Sequence, residues 1–332
     1  DAEAQAVVYV AGLADADSPR GTAWQQFTHH GGRLELDAGG SVIAPAALQG
    51  FGNWFLHTGS GNSDLAWASS FDAFRQGVGS MGGGNVRVEA GQDIVNLGVV
   101  APTSGVATKA NGVVTQTVAN GGDILVRAGR DIKGGMMFLG KGRGVLEAGN
   151  SVTLGDARKG AKTESDAVAP VLGLMDGQWR VQARDEVKIS NVYNPTALNS
   201  TSKATKDARV SIEKSGSFVS YTDQSAVALA SSGGSVHIMS DNWHSDFNGS
   251  DAKFSSENAL LALHSLVANG DQLKVTGNAA DARLTLTLLP GAVEASAFGG
   301  DVLWQSKIAP LVLAPSSQGG VNLYARDDVQ LV

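Results

Sequence analysis

One pattern of apolar and polar positions recurs along the chain: apolar, any, apolar, any, Ala, two turn residues, a short polar residue, then Ile or Val. The copies are Leu34-Glu-Leu-Asp-Ala38 to Val42, Val86-Arg-Val-Glu-Ala90 to Ile94, Ile124-Leu-Val-Arg-Ala128 to Ile132, Gly144-Val-Leu-Glu-Ala148 to Val152, Trp179-Arg-Val-Gln-Ala183 to Val187 and Val321-Asn-Leu-Tyr-Ala325 to Val329. Two looser copies lack the alanine, Val236-His-Ile238 after Gly233-Gly234 and Val302-Leu-Trp304 after Gly299-Gly300. Period two sends Val86, Val88 and Ala90 to one side and Arg87 and Glu89 to the other. Each copy therefore predicts a strand with one buried and one wet face.

Gly39, Gly91, Gly129 and Gly149 follow the alanine in four copies, which suits a corner needing positive φ and close backbone approach. Arg184 and Arg326 break that rule, so their corners are expected to be built differently. Before each restart stands Ser41, Asp93, Asp131, Ser151, Glu186 or Asp328, mostly types that bond their own backbone in turns. Ala128 and Ala148 are 20 apart and Ala90 and Ala128 are 38 apart, close to one and two turns of a coil. A hairpin ladder in a sandwich would also alternate, but it wants two-residue Asn-Gly or Asp-Gly turns, and Asn111-Gly112 and Asp176-Gly177 are the clearest of few. The pattern favours an all-β parallel β-solenoid over residues 1–332, with ten to thirteen coils making a rod on the order of 50–60 Å.

Composition narrows the function. The 332 residues are 42% hydrophobic and 17% charged, and 43 are glycine, well above the usual share of about 7%. A formal charge of −7 with scattered basic residues argues against a nucleic-acid partner. The chain has no apolar run long enough for a membrane-spanning helix, and charges on the wet strand faces argue against a lipid-embedded barrel. The absence of cysteine excludes disulfides and thiolate metal sites without fixing a compartment. Asp1-Ala-Glu-Ala-Gln5 at the start and Gln330-Leu331-Val332 inside a strand-like pattern at the end read as a segment of something longer.

Gly77-Val-Gly-Ser-Met-Gly-Gly-Gly-Asn-Val86 running into Ala90-Gly-Gln-Asp-Ile94, and Gly121-Gly-Asp-Ile-Leu-Val-Arg-Ala-Gly-Arg-Asp-Ile132, resemble the repeats of filamentous-haemagglutinin-type exoproteins. Phe298-Gly-Gly-Asp-Val302, Leu311-Val-Leu-Ala-Pro315 and Val321-Asn-Leu-Tyr-Ala325 are similar to the distal repeats of long members. The likeness runs from about residue 31 to the end. Of the family's Asn-Pro-Asn-Gly-type secretion motifs only Asn194-Pro195 is present, so the chain does not resemble that amino-terminal domain. The resemblance implies a right-handed parallel β-helix acting as an adhesin shaft on a Gram-negative surface. It also implies an outer-membrane transporter as secretion partner and a host glycan or cell-surface receptor as target.

Two segments break the repeat. Residues 48–80 hold Phe51, Trp54, Phe55, Trp67, Phe71 and Phe74, and the spacing of Trp67, Phe71 and Phe74 predicts a short helix laid on the rod. That insertion is either a small core covering one face or a saccharide-stacking platform, with Trp54, Phe55 and Trp67 as candidates. Residues 241–258 form a polar and aromatic loop whose Trp243 and His244 are further ligand candidates. Its oxygens lack the regular spacing of a calcium loop, so no metal is expected. Residues 156–175 and 194–208 read as exposed loops, and 257–268 suits helix or strand.

Catalytic motifs are missing. His29 and His30 would point to opposite faces of a strand, and Gly140-Lys-Gly-Arg-Gly144 precedes a strand, so it reads as a turn and not a phosphate loop. The enzyme alternative is a polysaccharide lyase or hydrolase using outward Glu35, Asp37, Glu89 or Glu147, because stacked coils bring carboxylates within the 5 to 10 Å or so that glycoside chemistry uses. Arg87, Arg127 and Arg180 alternate with these acids in the manner of cross-coil pairing. The sequence thus predicts no enzyme and no cofactor, with a carbohydrate-binding module as the other alternative.

Overall fold

The structure, a computed structural model, describes residues 7–10, 13–14, 28–29, 31–45, 55–58, 65–69, 74, 77–110, 113–156, 169–195, 221–239, 287–305 and 311–332. It is a parallel β-solenoid whose coils each carry three strands. Ile124–Ala128 leads to Ile132–Lys133, and Met136–Ala148 then supplies the third strand and, past a corner, the next repeat strand. The repeat strands form one face, stacked in register from Leu34–Ala38 through Val86–Ala90, Ile124–Ala128, 144–148, 179–183, Ala226–Ser231 and Ala292–Ala297 to Gly320–Ala325. The short restart strands, Val42–Ile43 to Val329–Leu331, form an 8-stranded second face. On the third, Val7–Val10, Gly77–Ser80, Val99–Ala101, 136–139, 171–174 and Asn191–Tyr193 follow one another. Met136–Ala148 and Val171–Ala183 run round the corner between two faces, which joins those faces into a 12-stranded sheet. Gly142, at φ 131°, makes that bend.

Inward residues of all three faces share one apolar core, with Val88, Val126, Ile132, Val152, Phe138 and Leu172 fully excluded from water. The repeat alanines lie in a single column. Ala38, Ala90, Ala128, Ala148, Ala183, Ser231, Ala297 and Ala325 are register partners in turn, and the inner members are buried. A small side chain is required there because the chain turns into the next face immediately afterwards. The looser copies are therefore out of phase. Their alanine equivalents are Ser231 and Ala297, and Val236 and Val302 are register partners of Val187 and Val329 on the restart face.

Close approach, and not left-handed φ, explains the corner glycines. A Cβ on Gly91, Gly129 or Gly149 would stand 2.1–2.3 Å from the carbonyl oxygen of the preceding coil's glycine. The positive-φ positions lie elsewhere, among them Gly77, Gly84, Gly121 and the non-glycine Asn96 and Asn120. At most restarts the polar residue before the strand bonds the next coil and not its own turn. Ser41 Oγ accepts from the Asp93 N–H, Asp93 Oδ1 from Asp131, Asp131 Oδ1 from Ser151 and Asp301 Oδ1 from Asp328, at 2.8–3.3 Å.

The first inward column runs Leu34, Val86, Ile124, Gly144, Trp179, Val227. Trp179 is 1% exposed, its indole N–H donates to the Gly173 carbonyl at 2.9 Å, and a Cβ on Gly144 would meet the ring at 2.2 Å. The glycine is the space the tryptophan fills.

A four-stranded antiparallel sheet departs from the coils. The hairpin Thr103–Ala110 and Val113–Asn120, which spans Asn111-Gly112, pairs with Leu65–Ser69 and through it with Phe55–Thr58. Trp67 is thus on a strand and not on the expected short helix, because period-two pairing with Gly105 and His57 overrides the helical spacing. No α-helix occurs among the described residues. Residues 171–175 are buried strand and not loop, as their run of apolar residues demands. Eight repeat strands are described, fewer than the ten to thirteen coils expected, since the antiparallel strands add none. Their seven steps span about 34 Å.

A double-mutant cycle tests the Gly144–Trp179 fit. Gly144→Val alone should cost about 1–3 kcal/mol by overpacking, and Trp179→Val alone about 3–5 kcal/mol by cavity formation. Combined, they should cost less than the two single changes together, read from urea melts.

Candidate functional site

The outward side chains of the repeat face stack as columns, because register places equivalent positions one coil apart. One column contains Asp37, Glu89, Arg127, Glu147 and Gln182 in adjacent coils. Arg127 bridges its neighbours, with N–O distances of 3.1 Å to Glu89 and 3.0 Å to Glu147, and Arg87 meets Glu89 at 2.7 Å from two residues earlier on the same strand. An Arg180–Gln182 contact of 2.8 Å continues the network. Asp37, Glu89, Arg127 and Glu147, with the Ala-Gly corners beside them, line an open groove of about 500 Å³. Three carboxylates to one guanidinium make the groove acidic.

Hydrogen bonding to Arg87 holds the Glu89 carboxyl below its ordinary value, with the charges of Arg87 and Arg127 adding to the effect against some desolvation. At the next corner, Asp93 is also held low. Burial opposes this, but the Asp131 N–H, Arg130 at 2.9 Å and Lys133 at 3.6 Å outweigh it. Exposed pairs of this kind contribute little to stability, so they fix the pairing of charges more than they hold the fold. Among the described residues there is no group of three or more His, Cys, Asp or Glu side chains that could hold a metal ion.

Of the five aromatic and histidine candidates, Trp67 alone has a described side chain. Trp67 is fully buried, and its indole N–H donates to Thr103 Oγ1 at 3.2 Å, so its ring belongs to the core and offers no face to a ligand. A Cβ on Gly105 would meet that ring at 2.4 Å, the same arrangement as Gly144 and Trp179. Phe55 opens the strand Phe55–Thr58. Trp54, Trp243 and His244 lie outside the described residues, as do 241–258, 257–268 and most of 194–208.

The structure adds an exposed aromatic pair that periodicity alone did not single out. Phe298 and Tyr324 are 56% and 55% exposed, with ring centroids 5.4 Å apart and planes inclined by 43°. Tyr324 continues the outward column of Glu89 and Arg127, in register with Ser296. The signal for it was available, since Tyr324 occupies an outward position of its repeat copy.

Comparison with known protein families, with characterised proteins and with solved structures finds no match. The fold defines the class, a parallel β-solenoid with an antiparallel side sheet. No helix among the described residues is long and apolar enough to cross a membrane.

Because the folded-state pKa of Glu89 lies below its ordinary 4.5, its contribution to stability is complete above that value and is lost as pH falls through the lower folded pKa. Replacing Arg87 with Gln should lower the melting temperature slightly at neutral pH and leave it unchanged at low pH, where the contribution is already lost, so the acid limb of a plot of melting temperature against pH becomes flatter.

Proposed function

We propose that this chain is a display segment of a secreted bacterial adhesin of the filamentous-haemagglutinin type, a shaft that extends recognition elements from a Gram-negative surface. In this reading the full-length protein leaves the cell through an outer-membrane transporter partner, and attachment is to a host glycan or a cell-surface receptor. The observation that carries the reading is the unbroken register of the repeat face, where eight strands share one alanine column and continuous ladders. A stack of this kind transmits extension through main-chain bonds at every coil. The repeat motifs that resemble the adhesin family support the same reading.

The outward acids favour a shaft over a lyase or hydrolase. Glycosidases need one carboxylic acid with a raised pKa, whereas Glu89 is held low and both Glu89 and Glu147 are committed to Arg127. Incubation of the protein with pectin, glycosaminoglycan and cell-wall polysaccharides should therefore release no reducing or unsaturated ends. Bacteria displaying a Glu89→Gln/Glu147→Gln protein should attach as well as those displaying the parent. Val126→Asp, which buries an unpaired charge in the core, should abolish attachment together with the fold. Attachment lost in the Gln double variant, or ends released by the parent and not by that variant, would overturn the shaft reading.

A further inference from the structure

Phe298 and Tyr324 meet each other across adjacent coils on the outer surface. Phe298 follows Ala297 at the corner position where other coils carry Gly91, Gly129 or Arg184, and Tyr324 holds an outward position where others carry Glu89, Arg127 or Gln182. Phe298 lies in a coil bonded on both sides, its own N–H donating to the Ser231 carbonyl and the Arg326 N–H donating to Ala297. The 56% exposure of Phe298 therefore does not come from standing at the last coil, whereas Tyr324 stands in the last coil and is assigned outward by its register with Ser296 and not by its exposure. Ser296 and Ala230, the next positions of the column, are small and leave a low floor beside the rings. Beyond them Gln182, and then Glu147 and Arg127 inside the groove of about 500 Å³, offer one hydrogen-bonding side chain per coil.

We propose that this outward column binds a linear, neutral, β-1,4-linked polysaccharide, with Phe298 and Tyr324 stacking against the apolar face of one sugar ring. The coil step of about 4.8 Å is close to the advance of one residue in an extended β-1,4-linked chain, and because such a chain turns over at each residue, alternate sugars meet alternate coils in equivalent positions. Exposed aromatics supply the apolar anchor and the polar column supplies partners for hydroxyl groups. The excess of carboxylates lining the groove selects against carboxylated or sulfated chains, since like charges brought together are penalised. The proposal rests on the display reading for its setting, and it names the ligand class that reading left open.

Titration calorimetry of the intact chain with cellohexaose tests it, with maltohexaose as the α-linked control. Cellohexaose should bind and maltohexaose should not. Phe298→Ala and Tyr324→Ala should each weaken cellohexaose binding by about tenfold or more at unchanged melting temperature, and Tyr324→Phe, which keeps the ring, should retain it. No binding of cellohexaose by the parent, or equal binding by the Phe298→Ala/Tyr324→Ala double variant, would overturn the proposal. Chromatography of the recovered hexaose separates the two ideas. Shortened products would contradict the non-catalytic display reading, whereas absent binding would remove only the stacking site.

Discussion

Everything in this structure depends on parallel strands stacking in register, coil upon coil. Main-chain hydrogen bonds fix the coil step at about 4.8 Å, so every side chain lies over its equivalent in the coil before. A position can then be filled only by residues that tolerate themselves, or a complementary neighbour, at that distance. Alanine tolerates itself at the corner, which is why one column runs from Ala38 to Ala325 with Ser231 as its single exception. Tryptophan needs space on one side, and Trp179 and Trp67 each have their ring over a glycine, Gly144 and Gly105.

The same constraint organises the polar surface. A column of acids alone would repel itself, and Glu89 and Glu147 are separated by Arg127, which satisfies both. Corner carboxylates and hydroxyls accept from the next coil's main chain, so Asp93, Asp131 and Asp301 extend the ladder beyond the strands themselves. The outward face becomes a strip with a fixed step, charged over its early coils, small at Ala228, Ala230 and Ser296, and aromatic at Tyr324. A surface of fixed step suits a ligand that also repeats.

The repeat was legible because register demands it. Alternation, the alanine and the polar residue before each restart are all imposed by stacking, and they could be read residue by residue. The phase of the Val236 and Val302 copies was not, since Ser231 replaces the alanine in one and an extra glycine lengthens the turn in both. The spacing of Trp67, Phe71 and Phe74 misled because a helical period and an aromatic strand cannot be told apart without the partner strand, and that partner, Thr103–Ala110, lies well downstream. Asn111-Gly112 marked the hairpin, but nothing local said which strands it would join. The charged column of the candidate site was visible as outward residues of each copy. Its pairing through Arg127 depends on Ala90 and Ala148 lying one coil to either side of Ala128: the 20-residue spacing suggested this for Ala148, but the 38-residue spacing, read as two turns, is a single coil enlarged by the hairpin Thr103–Asn120. The aromatic pair required the corner geometry that brings Phe298 against Tyr324.

The central claim is that distance along the molecule counts coils and not residues. The chain has no cysteine, so spin labels go only where cysteines are introduced, at Asp37, Gln182 and Ser296 on the outward column. Electron-electron distance measurements should give about 19 Å from Asp37 to Gln182, four steps, and about 29 Å from Asp37 to Ser296, six steps, each broadened by the label arms. The added separation from 182 to 296 should be about half that from 37 to 182, although the numbers of intervening residues are similar. Distances that follow residue number, or a Ser296 label no farther from Asp37 than the Gln182 label, would contradict the register on which the account is built.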